Sequence, residues 1–211
     1  MTLVAFDFDG TLSDSEMTVL LGERVDSADE MAAITERAMN DELAYAESLR
    51  QRVALLEGLA LREAAVALEH VVLREGAADL LRALNEAGHT TAILTGGFQR
   101  GVERALEWEG VSVDAIVSNR LDDDGEVLTG EVEGPLVDGT KDDALTDLAA
   151  AHGVDVGETV AVGDGANDLP MLAVAGLAVG FRPKPAVEPE CDEVVEDFDE
   201  LRALFGREGL L

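Results

Sequence analysis

Positive charge is scarce in this 211-residue sequence, which has 15 lysine and arginine residues against 45 aspartate and glutamate residues. Lysine occurs only at Lys141 and Lys184, and the formal net charge is -30. A surface of this sign repels the phosphates of nucleic acids and the headgroups of anionic membranes. We therefore expect neither nucleic acid nor membrane among the partners, and we predict no particular oligomeric state.

Cysteine, histidine and long apolar runs are sparse as well. The single Cys191 excludes an internal disulfide and a cysteine-based zinc site, and we expect it to be inert. His70, His89 and His152 lack metal-ligand spacing. No apolar run approaches the ~18 residues that span a bilayer, and the opening MTLVAFDFDG lacks the basic segment of a signal peptide. We expect a cytoplasmic protein.

Hydrophobic residues make up 47% of the chain, enough for a packed interior. An acidic surface around such an interior is typical of a salt-rich cytoplasm, where ~1 M salt shortens the Debye length to ~3 Å and screens self-repulsion. A disordered acidic protein is the alternative, but the periodic apolar residues do not fit it. We therefore expect a globular, halophilic protein.

The apolar pattern alternates between strand and helix through most of the chain. Strands are predicted at 3–8, 90–94, 113–117, 158–162, 177–181 and near 193–195, and helices at 76–87, 98–109, 140–151, from about 167, and at 199–205. A hairpin is predicted over 119–133, turning at Asp124-Gly125. This alternation predicts the α/β class, with a doubly wound, Rossmann-like parallel sheet.

The segment that follows the first strand has apolar residues at helical spacing and contains no proline. Its apolar residues recur in groups such as Leu20 and Leu21, and no strand-like alternation interrupts them. This pattern predicts a small helical bundle inserted into the sheet domain. We expect two domains: an α/β core of residues 1–13 and 73–211, and an inserted α-helical cap of residues 14–72.

Two pairs of carboxylates follow predicted buried strands. Asp7 and Asp9 come after the first strand, and Asp164 and Asp168 follow the strand VAVG. Ligands bind at the carboxyl ends of the strands in an open α/β sheet. Neighbouring carboxylates repel each other unless a cation lies between them or one is protonated. Oxygen ligands suit Mg²⁺, so the pattern predicts a metal and catalytic site, with an Asp-rich turn or helix cap as the alternative.

Two further features fit a bound phosphate. Thr95 follows a predicted strand, and Gly96 and Gly97 precede a helix, so a hydroxyl and backbone amides can cradle an anion there. Taken alone, this stretch is only a strand-to-helix turn. Lys141 falls at the start of a predicted helix, where a cation opposes the helix macrodipole, and a functional role would explain that position.

In order and spacing, four segments together resemble the haloacid dehalogenase-like phosphatase superfamily. They are DxDGT from Asp7 to Thr11, Thr95 after the next core strand, Lys141, and GDxxND from Gly163 to Asp168. The resemblance implies that Asp7 is the nucleophile, that Asp9 is the general acid and base, and that Mg²⁺ is held by Asp7, the Asp9 main-chain carbonyl and Asp164. It further implies that the phosphate oxygens are held by Thr95, the Gly96 amide and Lys141, with Asp168 orienting Lys141.

Within that superfamily, the chain is similar to the phosphoserine phosphatase family, through SLRQRVALL at 48–56, LTGEVEG at 128–134 and VAVGDGANDLPM at 160–171. This implies that the small-molecule substrate is O-phosphoserine, hydrolysed to serine and phosphate in serine biosynthesis. Arg52 would bind the substrate carboxylate and Glu16 its ammonium group, with Asn167 at the substrate or the phosphate. Arg50 lies about 200° from Arg52 on a helix, so both cannot face the site.

The same residues allow other functions. Another capped phosphatase or phosphotransferase of the superfamily would act on phosphoglycolate, a sugar phosphate or homoserine. A dehalogenase would need neither Asp9 nor Asp164. A metal-binding or interaction protein is suggested by DDDGEVLTGE at 122–131, but Arg120 would occupy the first position of a calcium loop, and no flanking helix pair is evident.

The charge balance generates a first prediction. The melting temperature is expected to rise when KCl is increased from about 0.1 M to about 2 M, because the salt screens repulsion among the acidic side chains. Differential scanning calorimetry at pH 7 measures this change. A melting temperature that falls as KCl rises would contradict the halophilic interpretation.

Overall fold

The computed structural model describes residues 1–39 and 42–211. Its strands are β1 (Leu3–Phe6), β2 (Thr90–Phe98), β3 (Ala115–Asp123), β4 (Leu128–Glu133), β5 (Val160–Gly163), β6 (Leu177–Phe181) and β7 (Glu193–Val195). Its helices are α1 (Met17–Gly22), α2 (Ala28–Met39), α3 (Tyr45–Ala54), α4 (Leu61–Leu68), α5 (Ala77–Glu86), α6 (Gln99–Glu109), α7 (Pro135–Asp138), α8 (Lys141–Ala151), α9 (Leu169–Val174) and α10 (Phe198–Arg207). In this described part of the chain, no helix has the length and apolarity needed to cross a membrane.

The seven strands form one sheet in the order β4-β3-β2-β1-β5-β6-β7. Every neighbouring pair is parallel except β3 and β4, which form the expected antiparallel hairpin. The chain winds outward from β1 in one direction through β2 and β3, and in the other through β5, β6 and β7. The predicted doubly wound α/β fold is confirmed, and its topological switch point lies between β1 and β5.

Side chains of β1 alternate between the two faces of the sheet, as the period of a strand requires. Val4 and Phe6 enter the larger buried cluster, which includes the apolar faces of α5 and α10. Leu3 and Ala5 enter the smaller cluster, beneath α8 and α9. Because both faces of β1 are covered, the carboxylates that follow it are held at the end of a buried strand.

In the described part of the segment between β1 and α5 there are four α-helices, α1 to α4, in agreement with the predicted helical bundle. Buried residues of these helices, including Leu21, Leu49 and Leu68, join the same cluster as Phe98 of the sheet. The inserted helices therefore share a hydrophobic core with one face of the sheet. The division into a core of 1–13 and 73–211 and a cap of 14–72 stays a prediction.

The ends of β1 and β2, which lie closest to the aspartates, differ from the sequence prediction. Strand β1 stops at Phe6, because the chain turns directly afterwards and the Gly10 amide donates to the Ser13 carbonyl at 2.8 Å. Strand β2 continues to Phe98, four residues beyond its predicted end. Its register against β3 shifts between Leu94 and Phe98. A β-bulge of this kind re-aims side chains at the edge of a sheet, and the glycines that suggested a turn lie inside it.

Candidate active site

The predicted aspartates meet at the carboxyl ends of β1 and β5. Asp7 directly follows β1 and Asp164 directly follows β5, and the Asp7 amide donates to the Val162 carbonyl at 2.8 Å. Single carboxylate oxygens of Asp7, Asp164 and Asp168 lie within 4.8 Å of one another. Three buried carboxylates are thus concentrated at the switch point of the sheet, where ligands bind in this architecture.

Lys141 lies between two of these carboxylates. Its Nζ is 2.5 Å from Asp7 Oδ1 and 2.6 Å from Asp168 Oδ1. The lysine is only 4% exposed although it is the first residue of α8. Burial lowers the pKa of Lys141, but Asp168 and Asp7 raise it by more, so the ammonium stays charged. The ion pairs explain a lysine at the unfavourable end of a helix.

Asp168 is a structural anchor for this arrangement. Its Oδ1 accepts from Lys141, and its Oδ2 accepts the backbone amides of Asp164 and Gly165, each at 2.9 Å. A Cβ on Gly163 would lie 2.6 Å from the Asp168 side chain, so only glycine lets the carboxylate approach this closely. Both oxygens of Asp168 are engaged, which favours a role in orienting Lys141 over direct metal ligation.

The cluster carries more negative charge than its lysine neutralises. Burial raises the pKa of Asp7 well above its ordinary value, Asp168 raises it further, and Lys141 only partly opposes them. Burial also raises the pKa of Asp164. A cation between these carboxylates would relieve the repulsion. An all-oxygen donor set fits a hard cation, so the site is suited to a metal of this class.

Gly10 and Thr11, the last two residues of the DxDGT segment, lie against Asp164. Gly10 has a φ of +94°, and a Cβ there would lie 2.6 Å from Asp164 Oδ1. The Thr11 hydroxyl donates to the same oxygen at 3.3 Å. Glycine is therefore required by backbone conformation and by space at once, since any side chain would displace the carboxylate.

Asp9 lies next to this cluster in a different environment. Its Oδ1 is buried and finds no hydrogen-bond partner among residues 1–39 and 42–211. Burial raises the pKa of Asp9 well above its ordinary value, and Glu16 and Asp7 raise it further. A carboxyl group with a raised pKa can hold a proton near neutral pH, which is the property that a general acid needs.

The bulge of β2 presents Thr95 and Gly96 to the same region. The buried Thr95 hydroxyl accepts the Gly97 amide at 2.9 Å. The Gly96 carbonyl accepts from Asn119 Nδ2 at 3.1 Å, and Asn119 Oδ1 accepts the Leu136 amide at 3.1 Å. Asn119 therefore fixes the bulge, a role that the sequence does not reveal because the hairpin predicted over 119–133 gives this residue no specific task.

The inserted helices supply the other predicted residues. Arg52 donates to the Thr18 hydroxyl at 3.2 Å and thus lies against α1, which begins just after Glu16. Arg50 instead forms an ion pair with Asp138 of α7 at 2.5 Å. The angular argument is therefore correct in that the two arginines point to different neighbours.

Tyr45 is a residue of the site that the sequence analysis missed. Its hydroxyl lies 1.8 Å from the position that a Cβ on Gly96 would occupy, so the ring reaches across to the bulge of β2. Burial raises the pKa of this hydroxyl, and Lys141 and Arg52 are among the charges that act on it. Tyr45 precedes Arg52 by seven residues, two turns of the same helix, and that spacing was the available signal.

Asn167 lies in a short 3-10 turn between β5 and α9, and it is exposed. Its carboxamide would lie within 2.6 Å of a Cβ on Gly165, so it folds back over the glycine. The predicted helix starts at Leu169, two residues later than expected, because this turn intervenes. The position at the open side of the cluster leaves Asn167 free to contact a bound ligand.

The family model of haloacid dehalogenase-like hydrolases matches residues 4–173. The chain belongs to the haloacid dehalogenase-like hydrolase family. The resemblance inferred from the four sequence segments is thereby confirmed, and the matched range contains every one of the candidate site residues.

Relatives and solved structures of this hydrolase family match over nearly the full length. A phosphoserine phosphatase of Halobacterium salinarum is 53% identical over 211 residues and covers 100% of both chains. One from Methanocaldococcus jannaschii is 35% identical, covering 93% of both. A solved phospho-aspartyl intermediate analogue of phosphoserine phosphatase has a TM-score of 0.86 at 35% identity, covering 96% of this chain and 97% of that one.

The buried ion pairs of Lys141 generate a second prediction. Lys141→Met is expected to lower the free energy of unfolding by ~3–5 kcal/mol, since it leaves Asp7 and Asp168 buried without a counter-charge. Urea denaturation in EDTA at pH 7 measures this loss. Arg50→Met is the matched control, because it removes one positive charge from an exposed ion pair worth at most about 1 kcal/mol. Equal losses in the two variants would contradict the prediction.

Proposed function

We propose that this hydrolase cleaves O-phosphoserine to serine and phosphate, in a Mg²⁺-dependent reaction that passes through an aspartyl-phosphate. The observation that carries the proposal is the buried cluster of Asp7, Lys141, Asp164 and Asp168 at the switch point, with Arg52 and Glu16 of the inserted segment beside it. The full-length similarity to phosphoserine phosphatases supports the choice of substrate.

The carboxylates of Asp7 and Asp164, with the main-chain carbonyl of Asp9, would hold Mg²⁺. The fit rests on an all-oxygen donor set whose carboxylates are buried and mutually repelling. Bound there, the cation would offset the negative charge of the phosphate, so that a carboxylate can approach it. Asp168 stays outside the ligand set, since three hydrogen bonds of 2.6 to 2.9 Å, from Lys141 and from the amides of Asp164 and Gly165, already hold it in place.

In the first half-reaction an Asp7 oxygen attacks phosphorus, and the bond between phosphorus and the serine oxygen breaks. The departing oxygen takes a proton from the Asp9 carboxyl group, whose raised pKa keeps that proton available. Serine leaves, and Asp7 carries the phosphoryl group.

In the second half-reaction Asp9, now a carboxylate, accepts a proton from water. The water oxygen forms its bond to phosphorus as the bond between the Asp7 oxygen and phosphorus breaks, which releases phosphate and restores the Asp7 carboxylate and the protonated Asp9 carboxyl group. Asp9 thus acts first as an acid and then as a base, so proton transfer is balanced over the cycle.

The phosphate would be oriented by groups from two elements. The Thr95 hydroxyl and the Gly96 amide come from the bulge of β2, and the Lys141 ammonium comes from the start of α8. Asn119 holds the Gly96 backbone, and Asp168 holds Lys141. Most of the rate acceleration in phosphoryl transfer comes from positioning and electrostatics, which such fixed donors provide.

The serine part of the substrate would be bound by the inserted segment. The Arg52 guanidinium can donate two parallel hydrogen bonds to a carboxylate, and Glu16 can accept from an ammonium group. Asn167, at the open side of the cluster, would contact the substrate or the phosphate. Phosphoglycolate and sugar phosphates lack the ammonium group that Glu16 would bind, and the relatives found do not favour homoserine as acceptor. We keep the prediction of a cytoplasmic location.

This assignment generates a third prediction, on substrate selection. Arg52→Met is expected to lower kcat/KM for O-phosphoserine by about tenfold or more, because one charged partner of the substrate carboxylate is lost. For p-nitrophenyl phosphate, which has no amino-acid group, kcat/KM is expected to stay within about twofold. Phosphate release measured with Mg²⁺ gives both values.

Arg50→Met is the control for the loss of a positive charge. It is expected to leave kcat/KM for both substrates unchanged, since Arg50 pairs with Asp138 at the surface. EDTA is expected to abolish phosphate release from either substrate. Equal losses in the two arginine variants, or a preference of the unmodified enzyme for a phosphate ester without an amino-acid group, would overturn the assignment of O-phosphoserine.

A further inference from the structure

The second of the two lysines in the chain also lies at the aspartate cluster. Lys184 Nζ is 3.3 Å from Asp164 Oδ2. The chain has 45 acidic residues that a lysine could pair with, and yet both lysines contact carboxylates of this one site. The mechanism described above gives Lys141 a task and leaves Lys184 without one.

The backbone around Lys184 is tied to Asp164 as well. The Lys184 amide donates to the Asp164 carbonyl at 2.9 Å, and the Lys184 carbonyl accepts the Val187 amide at 2.8 Å. Pro183 and Pro185 flank the lysine and restrict its conformation. This short segment after β6 is therefore fixed against the strand end that carries Asp164.

Backbone strain marks the entry to this segment. Arg182 has a φ of +46°, a left-handed conformation that is uncommon for a residue with a side chain. Its guanidinium donates to the Glu196 carbonyl and lies over the Phe181 ring, 5.8 Å from the centroid. Such strain persists only where the surroundings impose it, and it is concentrated at functional sites.

The two oxygens of the Asp164 carboxylate have different partners. The Thr11 hydroxyl donates to Oδ1 at 3.3 Å, and Oδ2 forms an ion pair with Lys184 Nζ at 3.3 Å. One partner on each oxygen restricts the orientation of the carboxylate and leaves lone pairs on both oxygens for a further ligand. The Lys184 side chain is 51% exposed, so its ion pair contributes little to folding. The remaining effect of this ion pair is to orient the Asp164 carboxylate.

The lysine faces the substrate side of the site too. Burial raises the pKa of Glu16, and Lys184 is the largest of the charges that oppose this rise, ahead of Arg52. Partial burial lowers the pKa of Lys184, but Asp164 and Glu16 raise it by more, so its charge is retained. The ammonium thus acts electrostatically on both the predicted metal ligand and the predicted ammonium acceptor.

We propose that Lys184 is a positioning residue that orients the Asp164 carboxylate for the metal ion. The proposal rests on the proposed function, because it takes Asp164 as a metal ligand. Partners that hydrogen-bond to ligating carboxylates typically change metal affinity by about 10- to 100-fold when they are removed. The ammonium also repels a cation, but solvent screens this repulsion at a half-exposed side chain, so orientation dominates.

The test measures binding of Mn²⁺ alone, by electron paramagnetic resonance, in about 2 M KCl to suppress binding at surface carboxylates. The Kd is expected to rise about tenfold or more in Lys184→Met and to stay within about threefold in Lys184→Arg, which keeps a charged donor. Arg207→Met is the matched control, since it removes one positive charge from a half-exposed pair with Glu193 and is expected to leave the Kd unchanged.

Asp164→Asn separates failure of this inference from failure of the proposed function. If the unmodified protein binds no more Mn²⁺ than Asp164→Asn, the metal site and the role of Lys184 are both overturned. If the unmodified protein binds Mn²⁺ and Lys184→Met binds it equally well or more tightly, the role of Lys184 alone is overturned. If Lys184→Met does not fold, Lys184→Gln replaces it under the same criterion.

Discussion

The structure depends on one buried ammonium group that is shared by two carboxylates. Lys141 pairs with Asp7 and Asp168 at the end of the central strand, where none of the three side chains is more than 4% exposed. Taking these charges out of water is costly, and the cost is met only where the geometry pairs them closely. The sheet provides that geometry, because parallel strands bring β1 and β5 to the same edge. The surplus negative charge that remains suits the site to a cation, which is the basis of the proposed Mg²⁺ site.

The sequence was informative wherever function follows from a short segment at a strand end. Asp7, Asp9, Asp164 and Asp168 could be located because each follows a buried strand, and the topology of alternating strands and helices then requires their strands to end together. The hairpin at Gly125 and the helical character of the inserted segment were predictable for a similar reason, since turn chemistry and helical periodicity are local properties.

Features that depend on contacts between distant segments were not predictable. The Asn119 side chain donates to the carbonyl of Gly96, 23 residues earlier in the chain, and Lys184, which follows β6, pairs with Asp164, which follows β5. Neither contact can be predicted from the sequence immediately around the residue. Tyr45 reaches the bulge of β2 only because the inserted helices pack on the sheet. The bulge itself was missed because a pair of glycines is equally typical of a turn. These features depend on contacts between distant segments, about which local propensity carries no information.

The central claim is that Asp7 forms a bond to phosphorus, and rapid quenching measures it most directly. The enzyme is mixed with O-phosphoserine and Mg²⁺, stopped with acid after milliseconds, digested and analysed by mass spectrometry. The account predicts one phosphoryl group on the peptide that contains Asp7, present during turnover and absent from Asp7→Asn. Turnover without any phosphorylated peptide, or a phosphoryl group on another residue, would contradict it.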